Sequence, residues 1–287
     1  RERCTMMTPS HRQSHQTNPS SRVRQLVRCL HTFPNAFKRN MKSFAAIIIG
    51  DEILSGKRQD KHLSKVIETL KSRGLELAFA QYLGDEPDRI VATLRQSFAT
   101  DHIVFCFGGI GATPDDYTRQ CAAAALGVAV HVHPEALAAM AAKPDFELTA
   151  NRVKMAEFPA GATVIPNPYN QIAAFSCGDH HFLPGFPEMA WPMMAWVLDS
   201  KYAHLFNRVA SAEEIIVIHD AGESNLIDAM NRIVTGFPNT KLSSLPQHLP
   251  DGRIIELSIR GDPAEVPIAM AQMKSEVNSL GFRFDEK

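Results

Sequence analysis

Three kinds of signal are missing from these 287 residues. No uninterrupted apolar run approaches the ~18–20 residues a membrane helix needs, so no membrane span is expected. The five cysteines (Cys4, Cys29, Cys106, Cys121 and Cys177) are scattered, odd in number and without a Cys-x-x-Cys pair. That excludes a disulfide framework and points to a reduced, cytoplasmic protein whose thiols act as small apolar residues. The common nucleophile and nucleotide signatures are also absent. There is no Gly-x-x-x-x-Gly-Lys-Ser/Thr, no Gly-x-Gly-x-x-Gly after the first strand, and no Gly-x-Ser-x-Gly around Ser55 or Ser176. His131-Val132-His133 and His180-His181 have no third ligand at metal spacing, so zinc is not expected.

Acid is nearly missing from residues 1–40. They hold eight Lys or Arg and one acid, Glu2, while the remainder holds 22 bases and 30 acids. An acidic body argues against nucleic acid as the main partner. The basic, Ser-rich start reads in three ways: an organellar transit peptide, a disordered arm, or translation from upstream of the true start. The third is favoured because Met41-Lys42-Ser43 opens the first globular segment directly. Residues 1–40 are therefore set outside the fold. With 45% hydrophobic and 21% charged residues, the chain has a soluble globular composition. Its length allows one to three domains with a sizeable core.

Phe44–Ile49 is an unbroken apolar run closed by Gly50-Asp51-Glu52, the pattern of a buried parallel strand. A helix is expected over 60–73, with Leu63, Val66, Ile67 and Leu70 at helical spacing and Gly74 as its stop. A strand follows at 75–83, a helix from Pro87 to about 99, a strand at 102–107, a helix over 116–126 and a short strand at 128–132. This β-α-β-α-β-α-β order predicts a three-layer α/β fold. Its mostly parallel sheet carries helices on both faces and functional loops at the carboxyl ends of the strands. Beyond it, 134–142 and 149–157 read as helices, and 163–165, 172–176 and 180–183 as strands, the last two forming a hairpin. A helix at 189–198 carries Trp191 and Trp196 as packing residues. From Glu213 a β-α-β-β-α order predicts a small α+β unit with helices on one face. The expected domains are 41–208 and 209–287.

The densest chemical signal is Phe105–Thr118, which reads Phe-Cys-Phe-Gly-Gly-Ile-Gly-Ala-Thr-Pro-Asp-Asp-Tyr-Thr. Glycine permits a tight turn and lets a ligand approach without a Cβ in the way. The helix start beyond it offers unpaired N–H groups suited to phosphate. Asp115 and Asp116 repel phosphate unless a cation lies between, so the stretch points to a metal-assisted phosphate site. The plain alternative is a loop whose Thr113 or aspartates cap the helix. Asp51 and Glu52, at the end of the first strand, fall on the same sheet edge. Converging carboxylates beside a glycine loop fit diphosphate chemistry with a divalent metal.

Three motifs then occur in order: Ile49–Gly56 (Ile-Gly-Asp-Glu-Ile-Leu-Ser-Gly), Gly108–Thr118, and Leu183–Met189 (Leu-Pro-Gly-Phe-Pro-Glu-Met). They resemble the N-terminal, molybdopterin-binding-type domain of the CinA (competence/damage-inducible) family, which is similar to MogA and MoaB. Asn151, Lys154, residues 159–162 and residues 166–168 also match, and the likeness spans about 44–205. Residues 213–287 resemble that family's KH-like middle domain. The family's C-terminal amidohydrolase domain (nicotinamide-nucleotide deamidase) has no counterpart here, so deamidase activity is not implied.

What the resemblance implies is a site at the Gly108–Asp116 edge. Gly108, Gly109, Gly111 and Thr113 would cradle phosphate, with Thr118, Pro184 and Gly185 also at the ligand. Asp51 and Asp116 correspond to the family's two loop acids and would be the catalytic pair. Mg2+, Mn2+ or Co2+ would sit on Asp51, Asp115 and Asp116. The ligand would be a molybdopterin or a nucleotide, and assembly a dimer or trimer. Three activities fit: metal-dependent ADP-ribose pyrophosphatase, a binding module without turnover, or adenylyl transfer to molybdopterin. The chain departs from the family at three points. Ala112 stands where proline is frequent, the Pro184–Met189 turn is one residue short, and Tyr169–Ala174 replaces Gly-Thr-Ala-Pro-Gly. The last change removes a small flexible loop beside the ligand, which bears on catalysis more than on folding or binding.

Overall fold

The computed structural model describes residues 42–143, 146–207, 211–250 and 252–287. Residues 1–40, with Cys4 and Cys29, and the expected boundary at 208–209 lie outside them. Along the chain run β1 (Phe44–Ile49), α1 (Asp51–Leu54), α2 (His62–Lys71), β2 (Leu77–Leu83), α3 (Pro87–Phe98), β3 (Ile103–Phe107) and α4 (Thr118–Leu126). There follow β4 (Val130–Val132), α5 (Pro134–Ala141), α6 (Ala150–Val153), β5 (Glu157–Pro159), β6 (Thr163–Ile165), β7 (Ala174–Cys177), β8 (His180–Leu183) and α7 (Pro187–Lys201).

All six residues of β1 are buried, because alternate side chains enter two different cores. Phe44, Ala46 and Ile48 join Val66 and Leu70 of α2 and Ala190, Met193 and Met194 of α7. Ala45, Ile47 and Ile49 join Ile90 and Leu94 of α3, Cys121 and Ala122 of α4, and Ala136 of α5. Each aliphatic side chain so buried is worth about 1.5–3 kcal/mol of transfer free energy. The sheet order is β2-β1-β3-β8-β7-β6. β2, β1, β3 and β8 are parallel, and β7 runs antiparallel to both of its neighbours, β8 and β6. The expected three-layer, mostly parallel architecture is therefore present, with the 174–183 hairpin inside it. The carboxyl ends of β1, β3 and β8 stand side by side.

The local expectations differ from the structure at several points. The segment at 128–132 does not extend the sheet. Only Val130–Val132 is a strand, and it pairs antiparallel with β5 in a separate two-stranded ribbon. Its half-exposed residues could not occupy a strand buried on both faces. Residues 149–157 are not one helix. α6 gives way to a 3-10 turn, Lys154–Ala156, and the chain then extends so that Phe158 reaches the core. A helical turn, α1, follows β1 at once, and the long helix begins at His62, where Asp60 caps the amides of His62 and Leu63 at 2.8 and 3.0 Å. Ile67, placed on the apolar face by its spacing, is 47% exposed, and Trp196, expected to pack, is 41% exposed.

The remaining elements are β9 (Ala212–His219), α8 (Glu223–Gly236), β10 (Thr240–Leu249), β11 (Gly252–Gly261), α9 (Val266–Ser279) and β12 (Phe284–Glu286). They form an antiparallel sheet of order β10-β11-β9-β12, with a core of its own beneath α8 and α9. The final strand, paired to β9, adds an element to the β-α-β-β-α order expected. No helix among the described residues is long and apolar enough to cross a membrane.

Candidate ligand-binding site

β3 ends at Phe107, and the chain turns through Gly108 (φ +101°) and Gly109 (φ +67°), a region L side chains rarely adopt. A Cβ on Gly108 would also collide with the carbonyl oxygen of Ile49, and one on Gly109 with the Thr118 hydroxyl. The turn is locked from below. Gly108 N–H donates to Leu183 O at 3.0 Å, Thr118 N–H to Gly109 O at 2.9 Å, and the Thr118 hydroxyl to Gly108 O at 3.0 Å. Asp116 closes the loop by accepting from both the amide and the hydroxyl of Thr113. Among the described residues, nothing accepts from the amides of Gly109, Ile110, Gly111 and Ala112.

Those amides border a cleft of about 710 Å³. Gly108, Gly109, Gly111, Thr113, Asp115, Asp116, Pro184 and Gly185 all line it. Two expected residues do not. Thr118 is fully buried beneath the loop with its hydroxyl committed, so it shapes the cradle rather than meeting a ligand. Asp51 stands beside the cleft. Its amide donates to Asp85 at 2.9 Å, and its own carboxylate accepts from the Asp85 amide at 3.2 Å. Among the described residues, no three His, Cys, Asp or Glu side chains form a ready-made metal site.

The structure adds residues that sequence reasoning passed over. Asp85 lines the cleft, and burial, with Asp51, Glu52 and Asp115 nearby, raises its carboxyl above the usual range. A signal for it was present, since Leu83-Gly84-Asp85-Glu86 ends β2 just as Ile49-Gly50-Asp51-Glu52 ends β1. Lys57 and Arg58 also line the cleft and supply positive charge. Arg119 is 2% exposed, and its guanidinium donates to the carbonyls of Gly111 and Lys154. Burial lowers its pKa, while Asp116 and Glu157 oppose the shift. Nothing in the sequence marks it, because arginine on a helix reads as solvated.

The altered segment forms part of the wall, with Asn170, Ile172 and Ala173 facing the cleft. It is tied rather than loose. Asn167 donates to the Asn170 side chain at 2.8 Å and to Ile172 O at 3.0 Å, and accepts from Tyr169 N–H at 3.0 Å.

Residues 45–204 match the family model described as a probable molybdopterin binding domain. The chain belongs to that family. The matched stretch holds all of the first sheet but Phe44, and the whole cleft. Within the molybdopterin-binding domain family, this member is similar to a protein of Pyrobaculum arsenaticum, at 29% identity over 72% of this chain and 81% of that protein. It is also similar to a CinA-like protein of Anaeromyxobacter dehalogenans, at 32% over 64% of this chain and 47% of that one. The crystal structure of CinA, with unknown function, from Thermoplasma acidophilum superposes with a TM-score of 0.51 at 26% identity, covering 55% of this chain and 98% of that one. The chain is thus a member of the molybdopterin-binding domain family that is similar to CinA-like proteins. It spans between 30% and 48% of the length of the CinA-like relatives it matches.

Proposed function

We propose that this molybdopterin-binding domain holds a phosphorylated small molecule, a pterin or a nucleotide, with its phosphate on the Gly109–Ala112 loop. The observation that carries the reading is the run of four backbone amides with no protein acceptor, on residues that line a cleft together with Lys57 and Arg58. These half-buried amides have no protein acceptor, and a run of such N–H groups in a glycine loop suits an anion. Phosphate oxygens would accept from these amides while the two cations offset the charge of the acidic rim.

Isothermal titration of inorganic diphosphate and of ADP-ribose, in chelator, tests the reading. Both should bind, and Gly111→Val should weaken binding, because its Cβ would sit 2.5 Å from an Asp116 carboxylate oxygen and push that side chain off the Thr113 amide. Equal affinity in the variant would overturn it.

Hydrolysis of an ADP-ribose-type diphosphate is the second reading, favoured by the carboxylates of Glu52, Asp85, Asp115 and Asp116 along one cleft, where burial and then the nearby acids raise the Asp85 pKa. A divalent ion, when bound, would supply charge neutralisation there. It would rest on one or two of these carboxylates and be completed by ligand oxygens and water. The expected result is AMP release with Mg2+, Mn2+ or Co2+ that falls at least about tenfold in Asp85→Asn. Binding without AMP release under all three metals would leave a binding module.

A further inference from the structure

The amides of Gly109, Ile110 and Ala112 each belong to a peptide unit whose carbonyl is held by a donor from the first turn of α4. The Thr118 hydroxyl donates to Gly108 O at 3.0 Å, and Thr118 N–H donates to Gly109 O at 2.9 Å. The Arg119 guanidinium donates to Gly111 O. We propose that Thr118 and Arg119 are positioning residues, which aim these three N–H groups at the ligand's phosphate without touching it. This rests on the phosphate reading above and deepens it.

Peptide geometry sets the directions. A peptide unit is planar, and in the trans form its C=O and N–H point opposite ways. No peptide bond among the described residues is cis. A donor that holds one residue's carbonyl therefore turns the next residue's N–H away from itself. In this way the Thr118 hydroxyl sets Gly109 N–H, the Thr118 amide sets Ile110 N–H, and Arg119 sets Ala112 N–H. The donors lie on the buried side. Thr118 and Arg119 are buried, whereas residues 109–112 are half-buried and line the cleft. The three N–H groups thus leave the loop on the side away from α4. The fourth unit has no such tie. Among the described residues nothing donates to Ile110 O, so Gly111 N–H is not fixed in this way.

Stability alone does not account for Arg119. Its second bond, to Lys154 O at 2.6 Å, anchors the guanidinium to the 3-10 turn, so it cannot follow a swinging loop. Its buried Nε has no partner among the described residues. Burying that charge and that N–H is costly, and an aliphatic side chain would fill the space without the cost. An aliphatic side chain would not hold the Gly111 carbonyl. Fixing the peptide dipoles before the ligand arrives removes an ordering cost at binding.

Amide-resolved NMR of the chain, titrated with inorganic diphosphate in chelator, tests this. In the parent, the Gly109, Ile110 and Ala112 amide signals should move as diphosphate binds. Thr118→Val removes the hydroxyl and keeps the shape. It should at least halve the Gly109 response and spare that of Ala112. Arg119→Met removes the guanidinium and should do the reverse. Each should weaken diphosphate binding by roughly two- to tenfold, the worth of one hydrogen bond. Thr118→Ser keeps a hydroxyl and should retain both the Gly109 response and the affinity. A merely structural role would blunt all the loop amides alike, or none. Equal loss of the Gly109 and Ala112 responses in a variant, or loss of neither, overturns the positioning roles and leaves the phosphate site in place. If one variant does not fold, the other decides by the same comparison. Diphosphate that moves none of the loop amides in the parent overturns the phosphate reading, and the positioning roles with it.

Discussion

Arg119 carries a buried charge with no carboxylate within ion-pairing distance among the described residues; its described partners are two carbonyl oxygens. Burying a guanidinium is costly, and carbonyl dipoles repay it only when both are well placed. Here they belong to Gly111, on the phosphate loop, and to Lys154, on the 3-10 turn, so one side chain fixes the distance between two walls. Arg119→Leu leaves both part-buried carbonyls without this donor, and urea denaturation should show a loss of about 1–2 kcal/mol. Arg119→Lys, which reaches one carbonyl, should recover part of it. A variant as stable as the parent would show that water serves these carbonyls equally well.

The β8 strand sets a condition on pH. Burial pulls His180 down to about 4 and His181 to about 3. Both are therefore neutral in the folded chain, bonded to Ser97 at 2.7 Å and to Ser176 and Tyr202 at 2.8 Å. Tyr202 spends its own hydrogen on Asp179, so His181 Nε2 is the donor to Tyr202, and Ser176 donates to Nδ1. Unfolded, each imidazole titrates near 6.5. Their contribution is whole above pH 6.5 and declines as pH falls toward 4, where the unfolded chain binds protons that the folded one refuses. Unfolding free energies from urea titrations at pH 7.5, 6 and 5 should fall by up to about 1.4 kcal/mol per pH unit for each histidine below 6.5. His180→Asn should lessen the slope. At this scale the sequence was legible wherever one periodicity ruled an element. β1, β3, α3 and the 174–183 hairpin were readable because burial on both faces, or Pro and Gly at the ends, left no rival. β4 and the 149–157 region were misread, because pairing between two distant segments, and the pull of Phe158 into the core, act outside any local window. In the site, the glycine loop was legible from its residues alone. Asp85 was legible only as the second copy of a Gly-Asp-Glu corner, and Arg119 not at all.

The two sheets share no core residue. Between them, Glu76 reaches Lys241 at 3.8 Å and Arg260 at 3.4 Å, both exposed pairs of the kind that contribute little. Calorimetry should therefore resolve two transitions, one of them reproduced by residues 211–287 alone. Diphosphate should raise only the other, since every cleft residue lies on the first sheet's side. A single transition that ligand shifts as a whole would show the two cores to be coupled. The Asn167–Ile172 turn has a kinetic consequence. Its hydrogen bonds are complete before any ligand arrives, so that wall has nothing left to order. Association should then be a single fast phase limited by encounter. The heat-capacity change should match the apolar area of the ligand and cleft alone, without the excess that marks a segment folding on contact.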